Sequence, residues 1–146
     1  MDGIQIETIY NPPEEVTKPI RDGLGAYNLA ITGDQDWARI AIVVRDEQGQ
    51  ILGGLTGELS WNWLHVGQLW LHESIRGQDI GTELLRRAEE EALARGITHA
   101  HLETTSFQAL GFYLKNGYEV FAHLDDKPKG HTWYYLKKED LTKGRQ

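Results

Sequence analysis

The residues Arg76-Gly77-Gln78-Asp79-Ile80-Gly81-Thr82 have the types and spacing to hold phosphate. They join an apolar run, Gln68-Leu69-Trp70-Leu71, to an amphipathic stretch that begins near Gly81. A glycine-bearing turn at a helix start leaves backbone N–H groups without intrahelical partners, at the positive end of the helix dipole. A negative charge placed there gains roughly 0.3–1 kcal/mol when exposed, and up to ~2 kcal/mol when partly buried. The turn is not a P-loop, because no Lys follows Gly81. It is not the dinucleotide fingerprint either, because Gly77 and Gly81 stand with Asp79 between them. A strand–turn–helix connection without a ligand is the other reading of the loop by itself.

A second segment, Ser106-Phe107-Gln108-Ala109-Leu110-Gly111-Phe112-Tyr113-Leu114-Lys115-Asn116-Gly117-Tyr118, decides between these. Together the two segments resemble the signatures of the GNAT N-acetyltransferases. The first is similar to Arg/Gln-x-x-Gly-x-Gly/Ala, with Arg76 and Gly81 in place and Asp79 where the middle glycine is usual. Asp adopts the left-handed backbone region more readily than most residues, so the turn survives the exchange. Its carboxylate must then point away from a bound pyrophosphate. The second is similar to Asn-x-x-Ala-x-x-Phe/Leu-Tyr-x-Lys-x-Gly-Phe/Tyr. Ala109, Phe112, Tyr113, Lys115, Gly117 and Tyr118 are in register, and Ser106 stands where Asn is common. The resemblance runs from about Ile51 to Lys138, and the first fifty residues match only in layout.

The resemblance implies one GNAT domain over residues 1–146: an α/β fold (α+β mixed sheet), mostly antiparallel, with a splayed parallel strand pair and flanking helices. It implies acetyl-CoA as co-substrate and no metal, with direct transfer to a primary amine of a small molecule or peptide. Leu69, Trp70 and Leu71 are expected to offer backbone groups to the pantetheine arm, as an added strand would receive them. Arg76, Gly77, Gln78, Asp79, Ile80, Gly81 and Thr82 are expected around the pyrophosphate. Ser106, Phe112 and Lys115 complete the expected cofactor contacts, with Arg86 and Arg87 also within reach of the adenosine phosphate. Tyr113 is expected to protonate the departing sulfur; a phenol of reference pKa about 10 holds its proton at neutral pH. A catalytically idle acyl-CoA-binding or sensor module is the alternative, kept open by Asp79 and Ser106. Homodimers are common in the family.

The amine must also lose a proton. For an alkyl amine this costs about 4.6 kcal/mol at pH 7. Glu58 is the first candidate base, directly or through water, with His65, His72 and Glu103 as alternatives. Trp61 and Trp63 share a face if their segment is extended, where they could line an acceptor pocket. The Pro128-Lys129-Gly130-His131-Thr132 loop lies where acceptor contacts often occur in the family. His99, His101 and Glu103 alternate along one strand face and suit a zinc test, though packed histidines on a helix-covered sheet are the commoner outcome.

The chain has 146 residues, 40% apolar and 25% charged, enough for a single core without disulfide staples. There is no cysteine, hence no thiolate nucleophile and no acyl-enzyme through sulfur. The net charge of −7 argues against nucleic acid and mildly favours a cationic substrate. Neither a membrane span nor a signal peptide is legible, so the expected location is the cytoplasm.

Periodicity predicts the elements that position these groups. Ile4–Tyr10 alternates as a half-buried strand, and a helix starts at Pro13-Glu14-Glu15, with Pro19 expected to kink or end it early. Residues 23–36 carry no clear pattern. Trp37–Arg45 and Ile51–Ser60 form a hairpin, and Leu64–Leu71 is a strand with Gly67 marking a bulge. A helix over Gly81–Arg95 buries Leu84, Leu85, Ala88, Ala92 and Leu93, with Glu83, Arg86, Arg87, Glu89 and Glu90 in solvent. Ile97–Glu103 is a strand, Phe107–Asn116 a short helix capped by Gly117, and Glu119–Leu124 and His131–Lys138 are a closing strand pair.

Overall fold

Pro13 caps the first helix and two glutamates fill its first turn, so α1 runs from Glu14 to Thr32. Pro19 lies inside it and does not end it, contrary to expectation. So close to the helix start, the missing N–H deprives only the Glu15 carbonyl of its helical donor, at a cost of ~3 kcal/mol. Residues 23–32, unassigned from sequence, continue the helix until Gly33 takes positive φ (71°) and donates to the Leu29 carbonyl (2.9 Å). The expected strand over Ile4–Tyr10 is absent, and its side chains are exposed. A strand exists through its ladder, and among the described residues of this part of the chain no other strand supplies one.

The computed structural model describes residues 3–34 and 36–143, which fall into two units, Met1–Gln35 and Asp36–Gln146. The second unit holds the sheet. Asp46 organises its first hairpin, accepting from the N–H groups of Gln48 and Gln50 (2.9 Å each), so that β1 (Ala38–Arg45) turns into β2 (Ile51–Ser60). Trp61 and Asn62 both take positive φ (46° and 69°) in the next tight turn, which leads to β3 (Trp63–Leu71). After it come α2 (Ile80–Ala94), β4 (Ala100–Thr105), α3 (Leu110–Lys115), β5 (Glu119–Asp125) and β6 (Thr132–Lys138). The strand order is β1-β2-β3-β4-β6-β5, with only β3 and β4 parallel among the described strands. This is the GNAT-type mixed α/β fold, a central sheet flanked by helices.

Two irregularities shape the middle of the sheet. Thr56 pairs with Gln68 while Gly57 pairs with Val66, which leaves Gly67 as the extra residue of a bulge, as its position suggested. β3 and β4 pair only from Leu64↔Ala100 to Val66↔Leu102; beyond that they part. This is the expected splay.

Helix α2 packs on one face of the sheet. Leu84, Leu85, Ala88 and Ala92 bury against Leu55 and Leu59 of β2, Leu64 and Val66 of β3, Leu102 of β4 and Leu136 of β6. Each buried Leu is worth roughly 1.5–3 kcal/mol. Glu89 departs from the predicted solvated face: it is 3% exposed, accepting from the Tyr118 hydroxyl (2.9 Å) and from Lys138 Nζ (3.2 Å). Its partners lie on elements that helical periodicity in α2 cannot foresee.

The β4 ladder starts at Ala100, not Ile97, because Thr98 and His99 are held by single bonds to Leu141 N–H and Leu64 N–H (2.8 Å each). Similarly α3 begins at Leu110, after a turn in which Gln108 N–H bonds the Thr105 carbonyl (3.1 Å).

Candidate active site

The Arg76–Thr82 loop leaves β3 through a short 3-10 turn, Glu73–Ile75, whose first N–H groups are served by His72: its Nδ1 accepts from Ser74 N–H (3.0 Å). His72 is thereby a capping residue. Gly77 (φ 78°) and Asp79 (φ 59°, ψ 18°) both adopt positive φ, so Asp79 does occupy the left-handed region that the usual glycine would fill. Its carboxylate makes no capping bond to α2. Among the described residues, the N–H groups of Gly77, Gln78, Asp79, Ile80, Gly81 and Thr82 have no hydrogen-bond acceptor. Glu83 N–H, bonded to the Asp79 carbonyl (3.2 Å), is the first in α2 to find one. A row of free donors at the positive end of a fifteen-residue helix is an anion-binding arrangement.

The free edge of β3 lies beside this loop. His72 N–H donates to the Leu52 carbonyl (2.7 Å), and the antiparallel alternation then turns the N–H and C=O of Leu69 and Leu71 away from β2. Because β4 has already splayed off, these groups have no ladder partner. Arg76 Nε donates to the Leu71 carbonyl (3.0 Å), fixing the guanidinium at the end of that edge. Trp70 pairs with Gly54 and is half exposed.

Gly81 brings the two motif segments together. A Cβ at that position would lie 3.3 Å from Cε1 and Cζ of Phe112 and 3.8 Å from Leu71. The glycine therefore lets α2 start directly against α3 and the end of β3. Tyr113, one residue on, is buried with its ring edge-on to Phe112 (5.1 Å) and Tyr118 (6.0 Å). Burial pushes its phenol up to about 12, so the hydroxyl keeps its proton at any ordinary pH. Ser106 is tied to the start of β6: its N–H donates to the Thr132 carbonyl (2.9 Å) and its Oγ accepts from Thr132 N–H (3.2 Å). Lys115 is exposed at the end of α3. Arg86 and Arg87 are already paired with Glu83 (2.7 and 2.9 Å), and Arg86 also with Glu90.

The opposite sheet face carries the remaining candidates. Glu58 and His65 are cross-strand partners on β2 and β3, and both line a cleft of about 520 Å³ with Arg39, Thr56 and Gln68, above the Gly67 bulge. His65 Nε2 lies 2.7 Å from Glu103 Oε2, and its ring stacks on His101 (4.5 Å, 20° between planes). His101 is held below the usual imidazole range, chiefly by burial and then by the His65 beside it, with Glu103 opposing both. His99 is not part of this group; its Nδ1 lies against the Glu139 carbonyl and its ring stacks on Trp63 (4.7 Å). Trp61 does not share a face with Trp63, since it sits in the turn, and neither tryptophan lines the cleft. In the other loop, His131 packs edge-on to Phe107 (4.8 Å) and contacts Ser106 Oγ (3.4 Å).

The sequence reading missed His65 as the neighbour of His101. Thirty-five residues separate the two, and only the parallel β3–β4 register joins them. It also missed Thr105 Oγ1 and Trp133 Nε1, buried polar atoms without a partner at the C-terminal end of β4 and the facing start of β6.

A free-donor loop stands beside an open strand edge, and Phe112, which touches Gly81 of that loop, precedes the buried Tyr113. The sequence pattern of the acetyltransferase (GNAT) family matches residues 5–118. The chain belongs to the GNAT family of acetyltransferases. It is 38% identical over 124 residues to an acetyltransferase of Agrobacterium fabrum, covering 85% of this chain and 90% of that one. It is 43% identical over 94 residues to the blasticidin-S acetyltransferase of Streptomyces morookaense, covering 64% of this chain and 69% of the relative. The crystal structure of an acetyltransferase from Bacillus cereus superposes with a TM-score of 0.81 at 34% identity, over 91% of this GNAT chain and 97% of that one. Family membership and these relatives support acetyltransferase activity in general for the GNAT chain.

Proposed function

We propose that the chain is a cytoplasmic N-acetyltransferase that transfers acetyl directly from acetyl-CoA to a primary amine of a small molecule or peptide. The observation that carries this reading is the run of unbonded N–H groups from Gly77 to Thr82, set beside the free edge of β3. The loop donors hold the diphosphate, and Leu69 and Leu71 pair with the amides of the pantetheine arm. The splay leaves room for the thioester between β3 and β4. Phe112 and Gly81 shape the wall between loop and strand, and Tyr113 gives its proton to the sulfur as it leaves. The same burial raises the basicity of a thiolate formed beside it, so the phenol stays protonated before reaction and remains acid enough to protonate that sulfur.

The acceptor enters from the cleft on the other face. Glu58 draws the ammonium group in, and the nearby Glu103 adds to the negative field. A neutral His65 that donates its Nε2–H to Glu103 has Nδ1 free to take a proton, so His65 is the base and Glu103 its positioning partner. The similarity to a blasticidin-S acetyltransferase supports a small-molecule acceptor over a peptide. The net charge of −7 supports a cationic one.

Free thiol release from acetyl-CoA, measured over a panel of cationic small-molecule amines that includes blasticidin S, tests the reading. Turnover on at least one amine is expected; tight cofactor binding with no turnover on any would favour the idle acyl-CoA-binding module instead. On the best acceptor, Glu58→Gln should raise its KM by roughly tenfold, while His65→Gln should lower kcat by about a hundredfold.

A further inference from the structure

We propose that His65, His101 and Glu103 form a site for a single zinc ion or similar d-block cation, at the inner wall of the acceptor cleft. Parallel pairing of β3 and β4 makes His65 and His101 register partners, so both rings project from the same sheet face and stack at 4.5 Å. Glu103 lies two residues past His101 on that face, and its carboxylate reaches across to His65 Nε2. One ligand atom from each of the three residues falls within 4.8 Å of the other two. Zinc bonds of about 2.0–2.1 Å set tetrahedral ligands roughly 3.3 Å apart. The His65–Glu103 pair, at 2.7 Å, must open by a little over half an ångström, and the widest pair must close by about one and a half. Rotation about side-chain bonds supplies both without moving the strands.

The chemistry of the set suits the ion. Two imidazoles and one carboxylate are the donor types of open zinc sites, which keep a position for water or another ligand. His65 lines the cleft and is 36% exposed, with Glu103 25% exposed, so solvent reaches the site to supply a further ligand. The ion would take the place of the proton between His65 and Glu103, with its charge against the carboxylate. Trp63, edge-on to His101 at 5.7 Å, shields the buried side of the pair.

The consequence for the reaction rests on the function proposed above: zinc at this site removes the base and blocks the amine, leaving the cofactor side untouched. Binding is measured separately from activity, on the full chain stripped with a chelator and titrated with zinc chloride by calorimetry, with magnesium chloride as the oxygen-preferring control. One equivalent of zinc at micromolar affinity or tighter is expected, and no comparable magnesium binding. His101→Gln and Glu103→Gln should each weaken zinc by tenfold or more, His99→Gln should not, and circular dichroism of each variant checks that it is folded. Zinc should inhibit thiol release competitively with the amine and not with acetyl-CoA. Absence of stoichiometric zinc binding overturns the proposal, as does binding that survives both His101→Gln and Glu103→Gln or is lost only in His99→Gln. Zinc binding by a protein that acetylates nothing would leave the site standing and overturn only the function.

Discussion

Replacing Asp79 by Asn and by Gly separates its charge from its backbone. The carboxylate stands in the phosphate loop at φ 59°, with no capping bond to hold it elsewhere. At about 7 Å from a bound phosphate and with water-like screening, one pair of like charges costs ~0.6 kcal/mol. A diphosphate carrying two charges doubles this to ~1.2 kcal/mol, which is roughly an eightfold loss of affinity. Asp79→Asn should recover most of it at low salt. At physiological salt, with a Debye length of about 8 Å, the gain should fall to about two- to threefold, and in 1 M salt it should vanish. Asp79→Gly should match Asn in affinity, because backbone strain is present in free and bound protein alike. It should exceed Asn in thermal stability by up to ~1 kcal/mol, because Gly adopts the left-handed region without penalty. Calorimetric titration with coenzyme A at three salt concentrations provides the measurement. If neither variant binds more tightly at low salt, the diphosphate does not lie against this loop and the reasoning fails.

Tyr113→Phe should lower kcat by about a hundredfold or more while leaving the Kd for acetyl-CoA within about twofold, as stopped-flow and binding titrations would show. The same phenol bears on alkaline stability. Its folded value, pushed up to about 12 by burial, exceeds the unfolded value of about 10. The contribution is therefore complete below pH 10 and is lost as pH climbs towards 12, amounting to as much as ~2.7 kcal/mol that Tyr113→Phe should not lose; denaturant melts at pH 8 and pH 11.5 compare them. Glu89→Ala should destabilise by about 3–5 kcal/mol in a urea melt, because it removes the carboxylate that accepts from Lys138 and the Tyr118 hydroxyl, whereas Glu89→Gln should cost less. A shift below 1 kcal/mol for the alanine variant would mean the triad is not closed in solution.

Local signals were read well where a single element decides the outcome. The α2 stripe, the Gly67 bulge, the hairpin at Asp46 and the left-handed turn at Asp79 each follow from residues within a few positions of one another. What failed depended on partners distant in sequence. Ile4–Tyr10 alternates as a strand should, yet no ladder forms on it. Glu89 has the helical phase of a surface residue but meets Tyr118 and Lys138. His99 has the right alternation with His101, but the residue that joins His101 is His65, brought there by a strand pairing that no spacing records. Trp61 and Trp63 would share a face only in an extended segment; positive φ at both Trp61 and Asn62 makes it a turn instead.

Arg76 bonding back to the Leu71 carbonyl has a consequence for the guest chain. With that acceptor occupied, the open rungs of β3 reduce to the N–H and C=O of Leu69 and the N–H of Leu71. A flexible arm pairing there is stopped like a bolt against a shoulder: slipping forward would set one of its donors against a carbonyl already taken. The loop anchors the phosphate end of the arm and this stop, at the same end of the strand, fixes its register, so the two together gauge where the reactive carbon comes to rest.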